Sequence, residues 1–127
     1  GLRYPFYDFP IPATPPPGFD AEHYQKSLSL FIEMNPVALL LPHFGPVRKN
    51  VRGLLQTNLE TVERWVSIAA ETVERGGSFD QIFSSFLADI ASRSGRSESS
   101  IPDYVKRSIM LSAMGCCTYA QERTRKE

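Results

Sequence analysis

Residues 51–73 read VRGLLQTNLETVERWVSIAAETV and carry the long hydrophobic pattern that decides the fold. Apolar side chains recur in this stretch at steps of three and four residues, the spacing that places them on one face of an α-helix. The pattern predicts a helix that runs to Gly76-Gly77 and, at about 1.5 Å per residue, spans roughly 40 Å. The stripe consists of Val51, Leu55, Leu59, Val62, Val66, Ala69 and Val73, widened by Leu54, Trp65 and Ile68.

Two more helices are predicted C-terminal to this one. Ser78, with Gln81 three positions later, matches a capping box, and the apolar residues that follow predict a helix ending near Gly95. The segment Ser100-Ile101-Pro102-Asp103 predicts the start of a last helix. Its apolar stripe is broad enough for a helix that is covered on more than one side. That stripe consists of Tyr104, Val105, Ile109, Met110, Ala113, Met114, Cys116, Cys117 and Ala120.

The N-terminal part of the chain differs in composition, because nine of the ten prolines precede residue 47. Residues 1–18, GLRYPFYDFPIPATPPPG, show no helical or strand period and predict an extended loop rich in aromatic residues. Asp20 predicts a helix start, since its carboxylate can accept hydrogen bonds from the free amides of the first turn. We therefore divide the chain into residues 1–46, an extended loop, a helix and the last strand of an incomplete core, and residues 47–127, a helical region.

Residues 37–41, VALLL, form a short apolar run between prolines. Such a run is typical of a strand buried on both faces in a parallel sheet. A lone strand leaves backbone groups unpaired, and residues 6–13 could add only an edge partner, because their prolines lack donors. Three alternatives follow: the run is a buried helix end, it pairs across an oligomer interface, or its sheet lies upstream of Gly1. We expect a mainly α fold, a bundle of three to four helices with one short residual strand from an α/β edge.

Composition excludes several classes of protein. The 127 residues carry 14 Lys and Arg against 14 Asp and Glu, so there is no sustained basic field for nucleic-acid binding. No run of residues is apolar enough for a membrane span, and the N-terminus lacks the pattern of a signal peptide. The two cysteines, Cys116 and Cys117, are adjacent and cannot staple a secreted domain. We expect a cytoplasmic protein that binds neither nucleic acid nor membrane.

One histidine follows the apolar run directly. The segment Ala13-Thr14-Pro15-Pro16-Pro17-Gly18-Phe19-Asp20, a helix, the apolar run and then Pro42-His43-Phe44-Gly45-Pro46 occur in that order. This order resembles the C-terminal part of metallo-β-lactamase superfamily hydrolases, over about the first third of the chain. The resemblance implies that His43 is the final metal-ligating histidine of a binuclear site. The helical remainder is similar in kind to the C-terminal extension of glyoxalase-II-like members.

The resemblance covers an incomplete site. The family's His-x-His-x-Asp-His cluster does not occur in the chain, and its bridging aspartate is expected just before Gly1. A catalytic zinc or iron site needs at least three protein ligands. The resemblance therefore implies zinc or iron in a full-length protein that acts on a small ester or thioester, while we expect this chain alone to bind no metal and to be inactive. The alternative for His43 is a hydrogen bond to the backbone of its Pro/Gly loop.

The remaining chemical candidates have simpler interpretations. Cys116 and Cys117 lie within an apolar stripe, which favours core packing over a reactive thiol. The carboxylates of Glu71, Glu74 and Asp89 fall on predicted solvent faces. Two groups of residues have two interpretations each. The first group either forms one wall of a substrate pocket or packs the N-terminal loop onto the core, and consists of Tyr4, Phe6, Tyr7 and Phe9. The second group either attracts an anionic substrate or forms a solvated face, and consists of Arg48, Lys49 and Arg52.

Two functional hypotheses follow. In the first, the chain is the C-terminal portion of a metallo-β-lactamase-like hydrolase, whose helical part covers the active site or mediates dimerisation. In the second, it is a non-catalytic, all-α interaction module whose broad last helix forms a homodimer surface. Both predict a homo-oligomer, most simply a dimer, because an exposed strand edge and an apolar face tend to pair with another copy.

Overall fold

A computed structural model describes residues 1–126, and four α-helices and one two-stranded sheet lie within that range. The mainly helical class with one short strand region is therefore confirmed. Glu127, the last residue of the predicted helical region, lies outside the described residues. The helices are α1 (Ala21–Met34), α2 (Val51–Glu74), α3 (Phe79–Ser94) and α4 (Asp103–Thr124), the strands are β1 (Leu39–Leu40) and β2 (Pro46–Val47), and a 3₁₀ turn (Glu98–Ser100) precedes α4.

Local hydrogen bonds set most of the helix ends where the sequence predicts them. The Asp20 carboxylate accepts from the amide of His23 at 2.9 Å, which caps the start of α1. At α3, the Gln81 side chain accepts from the amide of Ser78 and the Ser78 hydroxyl accepts from the amide of Gln81, so the capping box is confirmed. Gly95 ends α3 with a positive φ of 65°. The start of α4 differs, because Ser100 belongs to the 3₁₀ turn and no side chain caps the helix after Pro102.

The predictions that residues 37–41 form a strand buried on both faces and that its sheet is parallel are wrong. Only Leu39–Leu40 is a strand, and it pairs antiparallel with Pro46–Val47. Phe44 and Gly45 both have positive φ, which turns the chain back and supplies a partner within seven residues. Val37 and Leu40 are 89% and 83% exposed. A short apolar run does not distinguish a buried strand from a half-exposed one. Here Leu39 and Leu41 pack against buried residues that include Leu28 and Val47, whereas nothing in residues 1–126 covers Val37 and Leu40.

Two groups of buried side chains meet on α2. The larger group joins α2, α3 and α4 to the N-terminal segment, and at its centre Trp65 stacks on Phe86 with ring centroids 4.1 Å apart. Tyr4, Tyr7 and Ile11 of the N-terminal segment are buried in the same group. The smaller group joins α1 and β2 to the first turns of α2, and consists of Leu28, Val47, Val51 and Leu55. The long helix therefore forms the common wall of both groups.

The proline-rich segment is held on α4 by buried hydrogen bonds. The Ser112 hydroxyl donates to the Pro12 carbonyl at 2.8 Å and accepts from the Thr14 amide at 3.2 Å, while the Thr14 hydroxyl donates to the Ser112 carbonyl at 3.1 Å. A Cβ at Gly115 would lie 1.7 Å from the Thr14 carbonyl oxygen. Only glycine allows the segment to approach α4 this closely. None of the helices in residues 1–126 has the length and apolar character needed to cross a membrane.

We expect Gly115→Ala to lower the free energy of unfolding by about 1–3 kcal/mol, because the new methyl group overlaps a backbone carbonyl that cannot move freely. Alanine has a higher helix propensity than glycine by about 1 kcal/mol. A loss of stability in the variant would therefore show that the clash outweighs this gain. Urea unfolding followed by circular dichroism measures the change. Gly18→Ala is the matched control, since no atom lies within 4 Å of its Cβ position. Equal stability of the two variants would contradict the packing described for Thr14.

Candidate functional site

His43 lies in the tight turn between β1 and β2, and its side chain is exposed. The turn is held by the β1–β2 pairing on both sides and by the left-handed conformations of Phe44 and Gly45. The imidazole faces its neighbour Phe44, with ring centroids 6.2 Å apart. An exposed imidazole on a constrained turn is accessible to a ligand.

The described residues do not form a metal centre by themselves. Within residues 1–126, no three His, Cys, Asp or Glu side chains come together to hold a metal ion. The second histidine, His23, lies on α1, where its Nδ1 is 3.2 Å from the Asp20 carboxylate and its side chain is exposed. A zinc or iron ion needs at least three protein ligands. Of the predicted site, the described residues include one candidate ligand, His43.

An aromatic platform lies beside the His43 turn and consists of Tyr4, Phe6, Phe44 and Tyr104. Tyr4 is buried at its centre, and its ring centroid lies 4.9 Å from Phe44, 5.7 Å from Tyr104 and 6.1 Å from Phe6. The Tyr4 hydroxyl is 2.6 Å from the Ser108 hydroxyl, so α4 fixes the central ring. The other three rings are partly exposed, at 52% for Phe44, 51% for Tyr104 and 37% for Phe6.

The four aromatic residues that the sequence groups together are neighbours in the structure, but their burial differs. Tyr4 and Tyr7 are buried, Phe9 is half-buried under the Arg93 guanidinium at 4.2 Å, and Phe6 is the most exposed of the four. Loop packing is therefore the main role of Tyr7 and Phe9. Phe44 and Tyr104 join the platform from distant parts of the chain, and sequence reasoning missed them. The one available signal was that Phe44 directly follows the candidate histidine.

Arg96 adds a positive charge at the edge of the platform. Its guanidinium carbon lies 5.9 Å from the ring centroids of both Phe6 and Tyr7. Burial raises the pKa of Tyr7, and Arg96 acts against this rise because its charge favours the phenolate. The Tyr7 hydroxyl is buried and has no hydrogen-bond partner among residues 1–126. The Phe44 ring thus has the His43 imidazole as a neighbour, and the Phe6 ring has the Arg96 guanidinium as a neighbour.

A second feature close to the His43 turn is an exposed apolar surface, which we call the α1–β1 face. It consists of Leu30, Phe31, Met34, Val37 and Leu40. Leu30 and Met34 lie on the side of α1 away from Leu28 and Ile32, which pack in the smaller core group, whereas Phe31 lines a cleft together with Leu28. Met34 is 66% exposed and Val37 and Leu40 even more. Large apolar side chains clustered in this way mark an interaction surface.

A cleft of about 790 Å³ lies between the proline-rich segment and α1. Its walls are mostly apolar, and Asp20 and His23 belong to its lining. The Asp20 carboxylate accepts from the His23 amide, which holds the pKa of Asp20 below its usual value. No residue of the His43 turn lines this cleft. The cap of α1 accounts for the Asp20–His23 contact.

The prediction that Asp89 faces solvent is wrong. Its carboxylate accepts two hydrogen bonds from the Arg64 guanidinium at 3.1 Å each and one from the Trp65 indole at 2.9 Å. Arg93 lies 3.7 Å away, and burial lowers the pKa of its guanidinium. The pattern along α3 alone does not show that α2 covers this residue. Asp89 clamps α2 to α3, whereas Glu71 and Glu74 are exposed as predicted.

The cysteines and the basic residues take structural positions. Cys116 and Cys117 are buried in the core, as predicted, and burial raises the pKa of Cys116 to about 12, so its thiol stays protonated near neutral pH. Arg52 donates to the Ile32 carbonyl at 3.3 Å, which satisfies an acceptor at the end of α1. Arg48 and Lys49 are exposed beside β2.

Comparison of the chain with models of protein families, with curated proteins and with solved structures finds no match.

Proposed function

We propose that this chain is the C-terminal portion of a metal-dependent hydrolase with a metallo-β-lactamase fold. In this proposal His43 contributes the final metal ligand, and the helical region covers the substrate or mediates dimerisation. The observation that carries the proposal is the α1–β1 face, whose residues lie in α1, in β1 and in the connection between them, before the His43 turn.

The α1–β1 face needs a covering partner on energetic grounds. Four of its five large apolar side chains are more than half exposed, namely Leu30, Met34, Val37 and Leu40. Complete burial of such a side chain stabilises by about 1.5–3 kcal/mol. A sheet of the catalytic domain that packs on this face would bury all five, and would extend the two-residue strand β1. The resemblance of residues 1–47 to the end of that domain is the reason for proposing this sheet as the occupant.

The same packing would place His43 next to the rest of the metal centre. The histidine lies three residues beyond β1, on a turn whose conformation is fixed from both sides. The other ligands are expected outside these residues, and zinc or iron is the expected metal. Small esters or thioesters are the proposed substrates. Two buried, reduced thiols, Cys116 and Cys117, agree with a cytoplasmic location.

The metal-binding proposal predicts that the polypeptide carrying these residues in the cell contains zinc or iron when isolated. We expect His43→Gln to lower its metal affinity by about 100-fold or more, because loss of even an outer-shell partner of a metal ligand lowers affinity roughly 10–100-fold. Elemental analysis after dialysis against graded chelator concentrations measures the effect.

His23→Gln is the matched control, because it removes the second histidine of the chain from an exposed position on α1. This variant is expected to keep its metal. A wild-type polypeptide that holds neither zinc nor iron, or equal metal affinity in the two variants, would contradict the proposed role of His43.

The alternative is a non-catalytic interaction module that dimerises through α4. A specific observation favours it: Met110, Leu111 and Met114 form an exposed apolar stripe on the side of α4 away from its buried residues. A two-fold pairing of this stripe with its copy would cover the same residues on both chains.

We expect the 127-residue chain to sediment as a dimer in this case, and Leu111→Lys to shift it to a monomer, because the introduced ammonium cannot be buried unpaired. Analytical ultracentrifugation over a wide range of concentrations measures the association. Gln56→Lys adds the same charge at an exposed position of α2 and is expected to leave the dimer intact. A wild-type chain that stays monomeric throughout would overturn the α4 interface.

A further inference from the structure

The exposed side of α4 continues the aromatic platform. Tyr104 lies on this side, and Arg107, Leu111 and Met114 follow it at steps of three or four residues, the spacing of one helix face. Met110 lies one turn before Met114. All five side chains are exposed. We call the apolar part of this region the α4 surface, and it consists of Phe6, Phe44, Tyr104, Met110, Leu111 and Met114.

Ring contacts join the His43 turn to the start of α4, so the α4 surface is continuous. The Tyr4 ring centroid lies 4.9 Å from Phe44 and 5.7 Å from Tyr104. The rings are inclined to one another, by 46° between Tyr4 and Phe44 and by 79° between Phe6 and Tyr104. In the described part of the chain, none of the six side chains of the surface lines the cleft beside α1 or the smaller clefts. The surface therefore presents projecting side chains rather than a pocket.

Charge is distributed unevenly along a chain that is neutral as a whole. All 14 Asp and Glu residues lie outside residues 34–59 and 104–121, and these two stretches contain five Lys and Arg residues. The stretches supply five of the six members of the α4 surface. Glu98 and Asp103 lie just before the second stretch, and Glu122 lies just after it. The balanced net charge, from which we expected no membrane contact, therefore conceals basic segments that carry exposed apolar side chains.

Two guanidinium groups lie within the α4 surface. The guanidinium carbon of Arg96 is 5.9 Å from the ring centroid of Phe6. Arg107 lies between Tyr104 and Leu111 on α4, about one turn from each. Both arginines are exposed, and neither takes part in the ion pairs formed among residues 1–126. Both are therefore available to an external anion such as a phosphate.

We infer that the α4 surface docks on a lipid bilayer that contains anionic lipids. The exposed rings, Leu111 and the two methionines enter the headgroup region, and Arg96 and Arg107 pair with the lipid phosphates. This docking goes beyond the proposed function and depends only on the described residues. It also leaves the α1–β1 face free for the catalytic domain.

The form and charge of the surface favour a bilayer over a protein partner. A bilayer interface accommodates projecting side chains one by one, whereas a folded partner needs a surface of complementary shape. A second copy of the chain fits the charge poorly. A two-fold pairing of α4 would bring Arg107 of both copies to the same interface, and residues 104–121 supply no carboxylate to pair with them.

The first test is cosedimentation of the 127-residue chain with large vesicles of phosphatidylcholine, alone or with one-third phosphatidylglycerol. We expect binding to the anionic vesicles to be about tenfold tighter at low salt, because each cation near the surface contributes. Added salt should weaken this binding by screening the charges. A chain that binds neither kind of vesicle, or binds both equally, would overturn the inference.

Paired variants assign the binding to this surface. Leu111→Ser should weaken binding to anionic vesicles about tenfold through loss of apolar burial. Leu30→Ser makes the same change at an exposed position of α1 and should bind like the wild type. Arg107→Gln should weaken binding about fivefold, and Arg75→Gln, at an exposed position after α2, should leave it unchanged. Circular dichroism checks that all four variants are folded. Equal effects within either pair would contradict the assignment.

The three methionines report which face meets the lipid. With methyl-labelled methionine and a lipid that carries a spin label at its headgroup, NMR is expected to show broadening of Met110 and Met114, and none of Met34 on the α1–β1 face. Broadening of Met34 alone, or of all three methionines equally, would overturn the inference. A chain that dimerises through α4 and leaves the vesicles unbound would overturn it in favour of a second copy as the occupant.

Discussion

The close contact between Thr14 and α4 determines where the rest of the N-terminal region lies. Because Gly115 has no side chain, the Thr14 carbonyl can reach the helix backbone, and Ser112 then bonds to the segment on both sides of residue 13. This contact fixes residues 1–18 along α4 and brings Tyr4 to Ser108. Tyr4 in turn packs against Phe44, which belongs to the His43 turn. A backbone contact in the core thus positions the candidate site at the surface.

The candidate site is assembled from segments that are far apart in sequence, and this explains its chemistry. One helix, α4, supplies both the anchor of the loop and the exposed ring of Tyr104, while the β1–β2 turn supplies His43 and Phe44. Around the turn lie one exposed imidazole, one exposed guanidinium and a group of partly exposed rings. The residues of the α1–β1 face precede the turn in the chain.

Local patterns predicted the helices, because capping and apolar spacing act within a few residues. Asp20, the Ser78–Gln81 box and Gly95 set helix ends where the sequence places them. The features that the sequence did not predict are contacts between residues far apart in the chain. The exposure of β1, the coverage of Asp89 by α2 and the meeting of Tyr4 with Tyr104 leave no period in the sequence, since each depends on which elements pack together. The proposed role of His43 rests on the resemblance, and its exposed position on the turn leaves it accessible.

Oxidation of Met34 tests most directly whether the α1–β1 face is covered by the rest of a larger protein. Met34 is 66% exposed, and Met110 and Met114 on α4 are less exposed internal references. Exposure to dilute hydrogen peroxide and peptide mass spectrometry give the rate for each methionine. We predict that Met34 oxidises rapidly in the 127-residue chain and much more slowly, relative to the two references, in the polypeptide isolated from the cell. Equally rapid oxidation of Met34 in both would contradict it.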